Sequence, residues 1–148
     1  MRPPVPAVFQ QMAADLMQRV IPAISPAYHQ GTIGMIATML ALAGEDWDRA
    51  ASRRLEENRR LREIFREAAN LIKKPGLNAR LTELARTKDE DFRISALERN
   101  NCLLRATLIE LHAQVESESG PEARGLEGSI WSELVCSTEQ RRLSTAPF

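Results

Sequence analysis

Two histidines, His29 and His112, and two cysteines, Cys102 and Cys136, are the best metal ligands and nucleophiles in this 148-residue chain. A di-metal carboxylate bundle needs Glu-x-x-His pairs on facing helices. Pro26 stands three residues before His29, and Ile109 three before His112, so that motif is missing at both places. The cysteines lack Cys-x-x-Cys spacing, and four such ligands scattered along the chain do not make an intrinsic metal site. Nor is there a Gly-x-Ser-x-Gly elbow, a Walker loop or a dinucleotide-type glycine pattern. The sequence therefore predicts no metal, no cofactor and no catalytic residues. Cys102 follows Asn101 with no nearby cation to depress its pKa, so it reads as a half-buried structural thiol.

A second group is basic. Arg49, Arg53, Arg54, Arg59, Arg60, Arg62 and Arg66 raise the question of phosphate or RNA. Seven acids are interleaved with these seven arginines between Glu45 and Glu67, which makes the group a solvated face. The whole chain balances 20 basic against 20 acidic residues. That removes the basic field a nucleic-acid or anionic-membrane partner requires.

The third group is polar and expected inside. A helix over residues 27–43 and another over 47–72, joined as a hairpin at Gly44–Asp46, would bring His29 level with Leu61. A later antiparallel helix would bring Asn101 to the same level, one turn from Asn58. His29, Asn58 and Asn101 are thus expected in one core layer, with Tyr28 beside them. In one reading these groups satisfy each other, or a water, and fix helix register. In the other, Tyr28, His29, Asn58 and Asn101 bind a small molecule in a bundle core. An enclosed cavity lined by them would favour the second reading, and a closed polar knot the first.

The elements that must position these residues are all helical. Leu, Ala, Glu and Arg dominate, and no alternating β-branched stretch is present. Phe9, Met12, Leu16 and Val20 make one stripe, ended or kinked by Pro22. Ser25-Pro26 reads as a hydroxyl N-cap with proline at the first helical position. The next helix is apolar on every side and carries no charge from Val20 to Gly44, with Gly34, Thr38 and Ala41 as a small-residue ridge. Its apolar run, Thr32–Gly44, is too short to cross a bilayer. Gly44 reads as its C-cap and Asp46 as the cap of the following helix. That helix buries Trp47, Ala51, Leu55, Asn58, Leu61, Phe65, Ala68 and Ile72, and turns Arg53, Glu56, Arg60, Glu63 and Glu67 outward. Lys73, Lys74 and Pro75-Gly76 end it. A short helix over 78–86 follows. A heptad seam of Ile94, Leu97, Asn101, Leu104, Leu108, Leu111 and Val115 comes next, opened by Asp89–Asp91. Ile130, Trp131, Leu134 and Val135 suggest one more short helix. The expectation is an all-α, antiparallel bundle of about four main helices with a short connector and a C-terminal helical appendage. It forms a single domain over 1–148, with the core at about 7–117 and the appendage at 118–148.

The run Val20-Ile21-Pro22-Ala23-Ile24-Ser25, followed by Tyr28-His29 and the apolar helix, resembles an uncharacterised family of small all-helical bacterial proteins. These are encoded near aminoglycoside-phosphotransferase-like kinases and acyl-CoA dehydrogenases. The run Leu103-Leu104-Arg105-Ala106-Thr107-Leu108 is also similar, and the resemblance extends over about two thirds of the chain. It implies a helical bundle in a bacterial cytoplasm, acting as an accessory beside a metabolic enzyme. The family has no established activity, so no catalytic residue carries over. Two cysteines and no export signal also point to a reducing cytoplasm. The leading expectation is a non-enzymatic interaction or accessory protein that forms a homodimer, because the uncharged helix has more apolar surface than a small bundle covers. The alternative is a small-molecule binder or enzyme using the polar core layer.

Overall fold

The computed structural model describes residues 3–143 and is an all-α bundle, with no strand among the described residues. Helix α1 spans Val5–Asp15 and continues through a π-turn, Leu16–Val20, and a 3₁₀ turn, Ile21–Ala23. Helices α2 (Ala27–Leu71), α3 (Pro75–Arg86), α4 (Ile94–Glu116) and α5 (Pro121–Arg141) follow. Among the described residues no helix is long and apolar enough to cross a membrane.

The proline signals hold at the first helical run, while Pro75, expected to end a helix, opens α3. Pro4 is extended in front of α1 and Pro6 falls in its first turn, where a missing N–H costs nothing. Pro22 sits in the 3₁₀ turn that ends this run. At the start of α2, Gln30 N–H donates to the Pro26 carbonyl at 3.2 Å, so Pro26 and not Ser25 holds the capping position.

The hairpin expected at Gly44–Asp46 does not form. Helix α2 runs unbroken through 45 residues. Gly44 is not left-handed; Gly120, at φ 125°, is the positive-φ glycine among the described residues. A Cβ at Gly44 would stand 3.2 Å from the Phe9 Cβ and 3.3 Å from the Pro6 carbonyl oxygen. The glycine is there to admit α1, and the helix passes through it. Glu45 and Arg49, paired at 3.0 Å one turn apart, support the passage.

The chain divides into two compact units. The described part of unit 1 covers residues 3–50 and 142–143. In it α1 lies antiparallel to the first half of α2. Pro6 and Phe9 lie close to Gly44, and the Ile21 Cδ1 lies 3.9 Å from where a Gly34 Cβ would be. Ala37, itself buried, lies between these glycines in sequence. A small-residue groove for the neighbouring helix thus exists, but it runs through Gly34, Ala37 and Gly44; of the expected ridge only Gly34 is shown in it, and Thr38 is exposed.

Unit 2, Ala51–Arg141, holds a large-side-chain core. Leu61, Phe65 and Ala68 of α2, with Ile72 just past its end, meet Leu77 and Leu81 of α3, Leu104, Leu108 and Leu111 of α4, and Leu126 and Ile130 of α5. The α4 seam is buried from Leu97 to Val115, with Ile94 half-buried. The α2 stripe is buried from Asn58 onward, but Trp47 and Leu55 are exposed. The expected appendage is the 21-residue helix α5, and its residues belong to the core. Helix α4 starts at Ile94, later than the acids at 89–91. Asn78 ties α2 to α3 by donating to the Ala69 and Ile72 carbonyls at 2.6 and 2.7 Å, which satisfies two otherwise orphaned oxygens.

Candidate functional site

Half of the expected polar layer forms. Asn58 of α2 is fully buried and Asn101 of α4 nearly so. Asn101 Nδ2 donates to Asn58 Oδ1 at 2.9 Å. Asn58 Nδ2 donates to the Leu97 carbonyl and to Asp89 Oδ1, both at 3.2 Å. His29 and Tyr28 do not join. Both are exposed in the first turn of α2, in unit 1, with their rings edge to face at 5.7 Å. The reason is the missing hairpin: on an unbroken helix, 29 residues separate His29 from Asn58 by about eight turns.

The layer continues into charged groups that sequence reasoning left outside. Asp89, in the connection between α3 and α4, accepts from Arg62 at 2.6 and 3.1 Å and from Asn100 at 2.8 Å. Arg62 Nε also donates to the Thr87 hydroxyl at 2.9 Å. Glu57, one residue before Asn58, is buried and accepts from Arg105 and from Arg141, the latter at 2.7 and 3.1 Å. Glu133 of α5 is buried and accepts from Arg60, whose guanidinium also reaches Gln140 at 3.1 Å. Arg60 therefore does not lie on the solvated face expected for it.

These environments act on the carboxyls in opposite directions. Burial alone would raise the pKa of Asp89, but the bonds and charge of Arg62, with Asn100 and Asn58, hold it below the ordinary value. Burial likewise opposes ionisation of Glu57, and is outweighed by Arg141, Asn101 and Arg105. At Glu133 burial prevails over Arg60, and the Glu57 charge adds to it, so this carboxyl is raised.

The missed residues carried a readable signal. Glu57 falls at the helical step before Leu61, Ile64 and Ala68. Glu133 is the next seam position after Leu126 and Ile130. A charge that continues an apolar stripe is a charge that the fold must bury. Cys102 departs from its expected half-burial, being exposed, with its Sγ 3.9 Å from Glu98 Oε1. Cys136 is half-buried.

Chemically the arrangement is a closed knot. Each carboxylate is bonded by arginine, both amides are engaged, and no three His, Cys, Asp or Glu residues among those described gather to hold a metal ion. Two clefts of unit 2, about 600 and 630 Å³, reach the knot at Arg60 and Glu133 and at Arg62 and Asp89, and neither is lined by Asn58 or Asn101. The chain matches no family model, no curated protein and no solved structure.

Proposed function

We propose that this protein is a non-enzymatic helical interaction module that self-associates as a homodimer through unit 1. The observation that carries this reading is the composition of that unit's surface and interior. Its buried apolar residues are Ala13, Ala37 and Ala50, with no larger one among the described residues. Ten of the sixteen large apolar side chains exposed in the described chain lie in it. On α1 they include Val5, Val8 and Met12, and the π-turn carries Met17 and Val20. A π-turn takes up an extra residue, so the five-residue step from Met12 to Met17 fits about one turn. On α2 they are Tyr28, Met35, Ile36, Met39 and Trp47, largely away from the Gly34–Ala37–Gly44 groove.

Two helices packed through glycine and alanine leave their large side chains on the outside, and ten of them in one small unit suit burial against a partner. A second copy is the occupant that fits. No charge occurs from Val20 to Gly44, so the face offers nothing for a charged partner to pair with. Two such hairpins, face to face, complete a four-helix layer with an isologous contact. The methionines, Met12, Met17, Met35 and Met39, adapt readily to such a contact. The accessory role beside a metabolic enzyme rests on the family resemblance alone, and the cytoplasmic setting on that resemblance and the cysteine content.

Light scattering on the full chain at micromolar concentration tests the reading. The expected mass is twice the 16.6 kDa of one chain. The double variant Met35→Asp/Met39→Asp should halve it while unit 2 keeps its helicity. A wild-type protein that remains at the single-chain mass overturns the proposal.

A further inference from the structure

Unit 2 has a cleft of about 630 Å³ between α2 and the connection that leaves α3. Leu55 and Ala85 contribute its apolar surface. Arg59, Arg62, Arg66, Arg86 and Lys88 stand around it with Glu56, Glu63 and Asp89. Five cations against three carboxylates leave an excess of positive charge, and the pairing decides where that excess lies.

All three carboxylates are committed. Asp89 is held by Arg62, and both side chains are nearly buried. Glu56 and Glu63 bracket Arg59 at 2.6 and 2.5 Å. Arg66 gives one Nη to the Ala85 carbonyl at 3.3 Å. Among the described residues no carboxylate forms an ion pair with Arg66, Arg86 or Lys88. Three uncompensated cations therefore flank one apolar-walled hollow, in a protein whose net charge is zero. All three are exposed and extend from fixed backbone: Arg66 from α2, Arg86 from the last turn of α3, and Lys88 from the residue before Asp89.

We propose that this cleft binds a small phosphate monoester with an apolar body. The phosphate would be gripped by Arg66, Arg86 and Lys88, and the body would lie against the apolar wall at Ala85, whose carbonyl Arg66 touches. A dianion suits the site better than a single carboxylate, which would leave two of the three cations unneutralised. Guanidinium forks also match phosphate oxygens in pairs. This site lies in unit 2 and does not depend on self-association through unit 1.

The test is an amide NMR titration of the full-length protein with phenyl phosphate. Inorganic phosphate and benzyl alcohol serve as the head alone and the body alone. Phenyl phosphate should saturably shift the signals of Arg66, Arg86, Thr87 and Lys88. Inorganic phosphate should shift the same signals with affinity about tenfold weaker, because the apolar contact of the ring with the Ala85 wall is missing. Benzyl alcohol should leave them in place. Arg66→Gln/Lys88→Gln should weaken phenyl phosphate at least about tenfold through the lost charged bonds. Both positions are exposed, so the fold should persist; Arg86→Gln is a second variant with the same expected direction. The proposal fails if wild type shows no saturable shift at these residues. It fails equally if the variants bind as tightly as wild type, or if benzyl alcohol binds as well as the phosphate ester.

Discussion

Replacing Asn58 by leucine removes three hydrogen bonds from a side chain with no solvent exposure, and the cost depends on what is left behind. Two of the partners stay satisfied. The Leu97 carbonyl is inside α4, and Asp89 keeps Arg62 and Asn100. The third does not: the Asn101 N–H that pointed at Asn58 is left in a site only 3% exposed. An unmet buried donor costs about 1–3 kcal/mol, so Asn58→Leu should destabilise by about that much. Asn101→Leu should cost a similar amount, because it strands the buried Asn58 Oδ1. With both replaced, neither amide remains to be stranded. The double variant should then be more stable than the sum of the singles by about 2 kcal/mol or more, because both stranding penalties vanish together. Urea unfolding followed by circular dichroism at neutral pH measures all four corners of this cycle. Additivity within about 0.5 kcal/mol would refute the closed-knot description, because independent sites add to that precision.

Glycines separate by what surrounds them. Gly44→Ala should destabilise unit 1, since its Cβ would meet Pro6 and Phe9 backbone-proximal atoms at 3.3 and 3.2 Å, whereas Gly128→Ala in α5 meets nothing within 4 Å and should stabilise by about 0.5–1 kcal/mol; thermal melts compare them. Arg60→Ala should fall near the lower end of the roughly 3–5 kcal/mol for breaking a buried pair, and Arg60→Ala/Glu133→Gln should recover much of it. The sign with pH follows from the raised Glu133 carboxyl. Its contribution to stability is complete below its ordinary value of 4.5 and is lost as pH rises through the folded value, so the Arg60→Ala deficit should be largest at neutral pH and shrink toward 4.5. Glu57 and Asp89, both lowered, act in the opposite sense and lose their contribution only as pH falls through their folded values. Phe65→Ala, at a side chain with no exposure, should cost about 3–5 kcal/mol in the same unfolding assay.

Periodicity and breaker residues determined much of this protein without coordinates. The heptad from Leu97 to Val115 is buried because alternating three- and four-residue steps put one face of α4 inward, whatever it meets there. Pro22 marked the end of the first helical run, whereas Pro75, read as the end of a helix, opens α3, because a residue without an N–H is free of cost in a first turn as well as past a helix end. The Asn58–Asn101 pair was legible for a related reason: two polar residues interrupting two apolar stripes must find each other or pay for burial. The role of Gly44 was decided only by tertiary structure. A glycine after an apolar run serves equally as a cap or as a landing place for another helix, and the sequence offers no means of choosing; contact with Pro6 and Phe9 selects the second. That choice turned a hairpin into one 45-residue helix and removed His29 and Tyr28 from the core layer. The charged partners followed the same logic. Arg60 and Glu133 lie 73 residues apart, and Arg62 and Asp89 lie 27 apart. Local spacing marks which charges sit on an apolar stripe, but only packing of α2 against α4, α5 and the α3–α4 connection brings each one its counter-ion.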